Sequence, residues 1–200
     1  MRTTAEETQR NDENIIAAAI KVFSEKGYDS ASMQDIADEA QISRGPLYYR
    51  YKTKKHIFLA ALDVYTKHEL DEQARILRQN KPVNERLRDY LRYAIKYASK
   101  NSAGFPLDIF SSPDMQDVNA RIREIYTRSA MITAKFVQSA IAEGTMKPET
   151  DVNGLVNLIF IIFDGLRYSH LKTGVIPTSE MVERTVEQIC DLLITGYGIE

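Results

Sequence analysis

SMQDIADEAQISRGPLYYRYKTKKHIF, residues 32–58, decides how this chain is read. Ser32 stands immediately before an apolar pattern at Met33, Ile36, Ala37 and Ala40, with Asp35 three residues on, the arrangement of a capping box with Asp in place of Glu. That pattern predicts a helix of about two turns. Gln41-Ile42-Ser43 follows as a tight polar break in which Ile42 is the apolar plug. Ser43 is placed to cap the next helix, whose first turn holds Pro46, where a missing N–H costs little. After Tyr51 the pattern restarts, with Thr53 positioned to cap a long helix through Ile57, Phe58, Ala61, Leu62 and Tyr65. No acidic residue occurs from Gln41 to His56, whereas Arg44, Arg50, Lys52, Lys54 and Lys55 are basic. On a chain of net charge −2, local cations on a helix–turn–helix point to a small DNA-reading head on a neutral-to-acidic body. Taken alone, the same run would also suit a merely solvated surface.

Working outward, residues 1–8 read as a flexible tail. From Asn11 to Lys26, the residues Ile15, Ile16, Ala19, Val22 and Phe23 keep the 3.6-residue period of an amphipathic helix, and Gly27 is its stop signal. In the other direction the long helix runs to Asn80 and breaks at Lys81-Pro82. A further helix spans Val83 to Ser99, with Leu87, Tyr90, Leu91, Ala94, Ile95 and Ala98 on its apolar side. Gly104, Pro106 and Pro113 mark a loop with at most a short helix over 107–110. Ser112-Pro113-Asp114 then opens a helix that stops at Gly144. Thr150-Asp151 opens another ending near Gly174, and Thr178 opens the last, ending near Gly196. No strand-like alternation persists. The chain is read as all-α, with about nine helices: a three-helix head followed by a larger helical bundle.

A hydrophobic content of 44% with 27% charged residues is that of an ordinary globular protein, and 200 residues bury an adequate core as one domain or two. The lone Cys190 rules out an intramolecular disulfide framework and fits a reducing cytoplasm. It reads as a small buried apolar residue. The N-terminus lacks the apolar core of a signal peptide. The most apolar run, Leu155 to Phe163, is broken by Asn157 and closed by Asp164 and Arg167, short of the roughly 18–20 residues that span a bilayer. His56, His68 and His170 lack metal-ligand spacing, and no phosphate loop or nucleophile–base motif is present. No catalytic residue, metal or cofactor is therefore expected.

Residues 9–69, with the motif at 32–51, resemble the DNA-binding domain of the tetracycline-repressor (TetR-type) family. The resemblance rests on Phe23, Gly27, Ser32, Asp35-Ile36-Ala37, Ala40, Ile42, Ser43, Gly45, Leu47, Tyr48, Tyr51 and Lys54 at fixed spacing. Carried over, it implies that Arg44 reads a guanine edge and Tyr49 a base edge or thymine methyl, while Gly45 and Pro46 let the helix end approach the groove. Ser32, Ser43, Tyr48 and Lys54 are suited to phosphate oxygens, with Arg50 and Lys55 extending the basic surface. Two positions depart from the family pattern. Tyr51 replaces the common Phe, and Lys55-His56 stand where acidic residues usually follow Lys54. The unbroken basic run implies an unusually large share of nonspecific phosphate affinity.

Residues 70–200 resemble the family's ligand-binding and dimerisation domain more loosely, in AIAEG, a following Asp151 and FDGL at 163–166. A helix apolar nearly all round between Leu155 and Phe163 must be covered on all sides. Its own core on one face and a second subunit on the other satisfy that need. The expected four-helix interface uses Leu155, Ile159, Ile162, Val182, Val186, Ile189, Cys190 and Leu193, and the resulting homodimer predicts a palindromic operator. Tyr65, Tyr90, Tyr93, Tyr97, Phe105, Phe110 and Tyr126 gather in the middle of the chain, either lining a pocket for a hydrophobic or aromatic molecule or filling the core. Met131, Phe136, Phe160, Asp164 and His170 join them as candidates, with Arg167 one turn from Asp164 as its ion-pair partner. The reading is a cytoplasmic, ligand-responsive transcriptional regulator, usually a repressor in this family. The alternative is a small-molecule-binding bundle or interaction protein without a transcriptional role.

Overall fold

The structure is a computed structural model that describes residues 4–100, 105, 106, 112–173 and 178–197, leaving aside the side chains of 4–10, 95–100, 163 and 166–173. Among the described residues there is no strand. The helices are α1 Thr4–Ser30, α2 Met33–Glu39, α3 Arg44–Arg50, α4 Lys54–Leu77, α5 Val83–Lys100, α6 Gln116–Ala142, α7 Val152–Thr173 and α8 Ser179–Tyr197, with a 3-10 turn over Pro113–Met115. The all-α expectation holds. The short helix expected over 107–110 lies outside the described residues, so eight α-helices stand against about nine. α1 starts at Thr4, within the stretch read as a tail, and α4 stops at Leu77 rather than Asn80.

Local chemistry sets most ends. Gly27 interrupts α1 with φ 74° and ψ 171°, a left-handed φ that an L side chain rarely adopts. Ser32 and Asp35 form a reciprocal capping box at the start of α2. Thr53 caps α4 through His56 N–H, and Ser112 precedes an N1 proline. α6 ends in a Schellman motif, in which Gly144 N–H reaches Ile141 O and Thr145 N–H reaches Ala140 O. Asp151 caps α7 through Asn153 N–H, and Thr178 caps α8 through Met181 N–H.

The chain forms two compact units: Met1–His68 with Ala103–Asn119, and Glu69–Ser102 with Ala120–Glu200. The first therefore takes in residues 103–119, which the sequence reading places in the second domain. Its core is aromatic. Phe23 meets Phe58 edge-on at 5.0 Å, Phe58 stacks on Phe105 at 5.0 Å, and Phe105 stacks on Tyr65 at 4.9 Å. Ile36, Leu47, Ile57 and Leu62 are fully buried in the same unit. In the second unit, α5 packs against α7 and α8 through Leu87, Leu91, Leu155, Ile159, Val186 and Leu193. Arg88–Glu187 and Arg92–Glu183 ion pairs flank the α5–α8 contact.

Candidate nucleic-acid interface

The interface is built on α2, its turn and α3. Met33, Ile36 and Ala37 are buried and fix one face of α2, and Leu47 is the buried residue of α3. The turn between them is a second Schellman motif: Gln41 N–H reaches Asp38 O, and Ile42 N–H reaches Ala37 O. Gln41 sits at φ 55° where glycine would be unstrained. Asn14 of α1 donates to Ala40 O at 2.8 Å and ties the turn back to the first helix. The chain direction is thus set by backbone bonds before any charge is considered.

With Leu47 inward, the rest of α3 faces out. Arg44, Gly45, Pro46, Tyr48, Tyr49 and Arg50 are all exposed, Tyr49 to 81%. A Cβ on Gly45 would meet nothing within 4 Å, so the small residue there answers no need inside the head. Ser43 occupies the N-cap position of α3, yet its hydroxyl makes no capping bond. The hydroxyl and the first N–H groups of α3 are therefore available to an external anion. Arg44 is held by Gln34 of α2, which itself donates to Asp38. Arg50 pairs with Asp12 of α1. The Lys52 ammonium lies 5.5 Å from the Tyr49 ring centroid.

Three further residues expected at the DNA surface are engaged within the unit. Lys54 donates to the carbonyls of Tyr28 at 2.8 Å, Asp29 at 3.1 Å and Ala31 at 3.0 Å, and lies 4.5 Å from the Tyr28 ring centroid. Its ammonium therefore satisfies carbonyls at the end of α1. Lys55 donates to Asp114 O at 2.9 Å and pairs with Asp117; the ion pair holds the Asp117 carboxyl below the usual carboxylate range. Ser32 is bound into its own capping box, where the Lys26 ammonium and the Ser32 hydroxyl and N–H bring the Asp35 carboxyl down to about 2. Gln34, Asn14 and Asp117 are absent from the sequence reading. Each acts on a residue 10 or more positions away in the chain, where no local pattern can signal the pairing.

The described ligand candidates are divided between the two units. Tyr65 and Phe105 belong to the aromatic core of the first unit. In the second, Tyr90 is buried and its phenol is raised by that burial, while Tyr93 donates to Glu69 at 3.1 Å. Tyr126 lies 6.1 Å from Phe160. Met131 is 56% exposed and Asp164 half-buried. Phe110 and the side chains of Tyr97, Arg167 and His170 lie outside the described residues. The dimer set needs correction. Leu155, Ile159, Val182, Val186, Cys190 and Leu193 are closed inside the second unit, with Ile189 packed against them and Ile162 half-buried. A side chain already covered by its own chain is not available to a partner. Among the described residues, the large apolar side chains exposed on α7 and α8 are Leu158, Ile161, Met181 and Leu192, the last 75% exposed. Both faces of α7 are apolar in sequence, so periodicity alone could not say which faced inward.

Comparison with known proteins agrees with this geometry. Residues 15–61 match the family described as bacterial regulatory proteins, tetR family. The chain is 43% identical over 51 residues to an uncharacterised HTH-type transcriptional regulator, YuxN of Bacillus subtilis, covering 26% of this chain and 18% of that protein. It is 26% identical over 161 residues to the HTH-type transcriptional repressor ComR of Escherichia coli K12, covering 76% of this chain and 75% of that one. Among solved structures, a mutant of the TetR family regulator CifR complexed with 26-base-pair operator DNA superposes with a TM-score of 0.77 at 18% identity, covering 90% of this chain and 94% of that one. Residues 15–61 thus carry a match to the bacterial regulatory proteins of the tetR family, and the fold of the whole chain is similar to that of a TetR family regulator.

Proposed function

We propose that the chain is a ligand-responsive transcriptional regulator, most simply a repressor, that binds a palindromic DNA site as a homodimer in the cytoplasm and has no catalytic role. One observation carries the DNA-binding part: α3 turns Arg44, Gly45, Tyr48 and Tyr49 outward with an unused capping hydroxyl at Ser43, and no carboxylate interrupts residues 41–56. Helix N-termini of this kind take phosphate, and an exposed Arg takes guanine O6 and N7. We assign Arg44 and Tyr49 to base edges, Ser43 and Tyr48 to phosphate, and Gly45-Pro46 to close approach. Arg50 and Lys55, paired with Asp12 and Asp117, border that surface, Ser32 acts through its cap, and Lys54 acts by holding the end of α1.

The dimer contact is assigned to Leu158, Ile161, Met181 and Leu192, since exposed apolar residues of this size on α7 and α8 are what a partner would bury. Release by a small hydrophobic or aromatic molecule requires that ligand and DNA favour different states of the same protein. α4 is the natural lever, because its first turns lie in the first unit and its last turns in the second. The test is binding of the full chain to DNA flanking its own gene, against excess unrelated duplex. Arg44→Ala should weaken the specific complex by roughly 1–3 kcal/mol and leave unrelated DNA nearly unaffected. Equal loss on both DNAs would mean that Arg44 reads only phosphate.

A further inference from the structure

The second unit contains a pocket of about 570 Å3, within the usual range of about 300–1,000 Å3 for small-molecule sites. Its apolar floor is Leu77 at the end of α4 with Ile132 and Phe136 of α6. Arg78, Arg86 and Lys135 also line it, and no carboxylate does among the described residues. Residues 132, 135, 136 and 139 recur at three- and four-residue spacing, so one face of α6 supplies both the apolar and the basic wall.

Arg86 is the fixed element. It is 8% exposed, donates from one terminal nitrogen to Leu77 O at 3.3 Å and from the other to Glu143 at 3.0 Å, and its guanidinium lies 5.4 Å from the Phe136 ring centroid. Its buried Nε has no hydrogen-bond partner. Glu143 offsets the charge of Arg86. Arg78 and Lys135 have no counter-ion among the described residues, so the pocket keeps two uncompensated cations above an apolar floor. Of the aromatic candidates among the described residues, Phe136 is in its wall.

We infer that this pocket binds an amphipathic organic anion: a carboxylate head between Arg78, Lys135 and Arg86, with an apolar body on Leu77, Ile132 and Phe136. An inorganic anion would leave the apolar floor unused, and a neutral apolar molecule would leave the cations unpaired. The inference does not depend on DNA binding, and its test contains no DNA.

The experiment is equilibrium binding of 2-naphthoate and its neutral isostere 2-naphthamide to the full chain. The chain has no tryptophan, so naphthalene emission can be read against a low background. Naphthoate should bind at least about tenfold more tightly than the amide, because the charge-assisted contacts are lost with the amide. Inorganic phosphate at the same concentration should not displace it. The Arg78→Gln/Lys135→Gln variant should lose most of that preference. The Arg123→Gln/Arg128→Gln variant, with the same charge change at α6 positions outside the pocket, should keep it. Arg86 is left in place because it ties Leu77 to Glu143 and its loss would disturb the fold. Equal binding of acid and amide, no binding of either, displacement by phosphate, or equal loss in both double variants would overturn the assignment.

Discussion

Replacing Lys54 by Met separates two roles that one lysine at the start of α4 could play. The substitution keeps most of the aliphatic stem and removes the ammonium, which donates to three carbonyls at 2.8, 3.1 and 3.0 Å and lies over Tyr28. A hydrogen bond to a charged group contributes about 1.5–3 kcal/mol, so three sealed bonds would sum to about 4.5–9 kcal/mol. Lys54 is only half-buried, however, and water can reach the carbonyls once the ammonium is gone. The expected loss is therefore about 2 kcal/mol, including up to about 1 kcal/mol from the ring contact. The assay is urea unfolding followed by helical circular dichroism, alongside DNA affinity measured across salt concentrations. A pin at the end of α1 lowers the unfolding midpoint and leaves the slope of log K against log[salt] unchanged. A direct phosphate ligand does the reverse: stability holds, and the slope falls by about 0.9. The second result would refute the role assigned here.

Other consequences can be checked separately. Gly45→Ala meets no neighbour and replaces a helical glycine, so stability should hold or rise by up to about 1 kcal/mol while specific DNA binding falls; undiminished binding would remove Gly45 from the interface. Ile161→Glu places a charge at an exposed apolar position of α7 and should yield a folded monomer by sedimentation with unchanged helicity; a stable dimer would move the interface elsewhere. The Asp35 carboxyl, held at about 2 by Lys26 and Ser32, lies below its unfolded value of about 3.9. Its contribution is therefore complete above that value and is lost as pH falls from about 4 through about 2. The stability difference between the native chain and Asp35→Asn should shrink across that window; a difference that stays constant with pH would show that the charge is irrelevant to the cap.

The head was readable from sequence because its determinants are local. The Ser32–Asp35 capping box, the turn at 41–43, the N-terminal cap of α4 and the stop at Gly144 each lie within a few residues of the backbone they control. The contacts that decide which side chains remain free do not. Lys54 and Tyr28 are 26 residues apart, and Lys55 and Asp117 are 62 apart, so a basic run that looked uniformly available is partly committed inside the unit. The same limit explains the dimer residues. α7 is apolar on two faces, and only the packing of α5 against it settles that Leu155 and Ile159 point inward while Leu158 and Ile161 remain outside. The aromatic candidates fared similarly, since Phe105 of the loop fills the first unit's core between Phe58 and Tyr65. A stripe of aromatic residues in sequence does not distinguish a lining from a filling.

Footprinting of the purified full chain on DNA flanking its own gene, with unrelated duplex in excess, tests the central claim most directly. A homodimer reading DNA through α3 protects two half-sites related by a two-fold axis, with centres separated by whole turns of about 10 base pairs, and protection of both weakens on Arg44→Ala. Weak protection spread along the whole fragment, fading equally everywhere as salt rises, would contradict it and reduce α3 to a nonspecific phosphate surface.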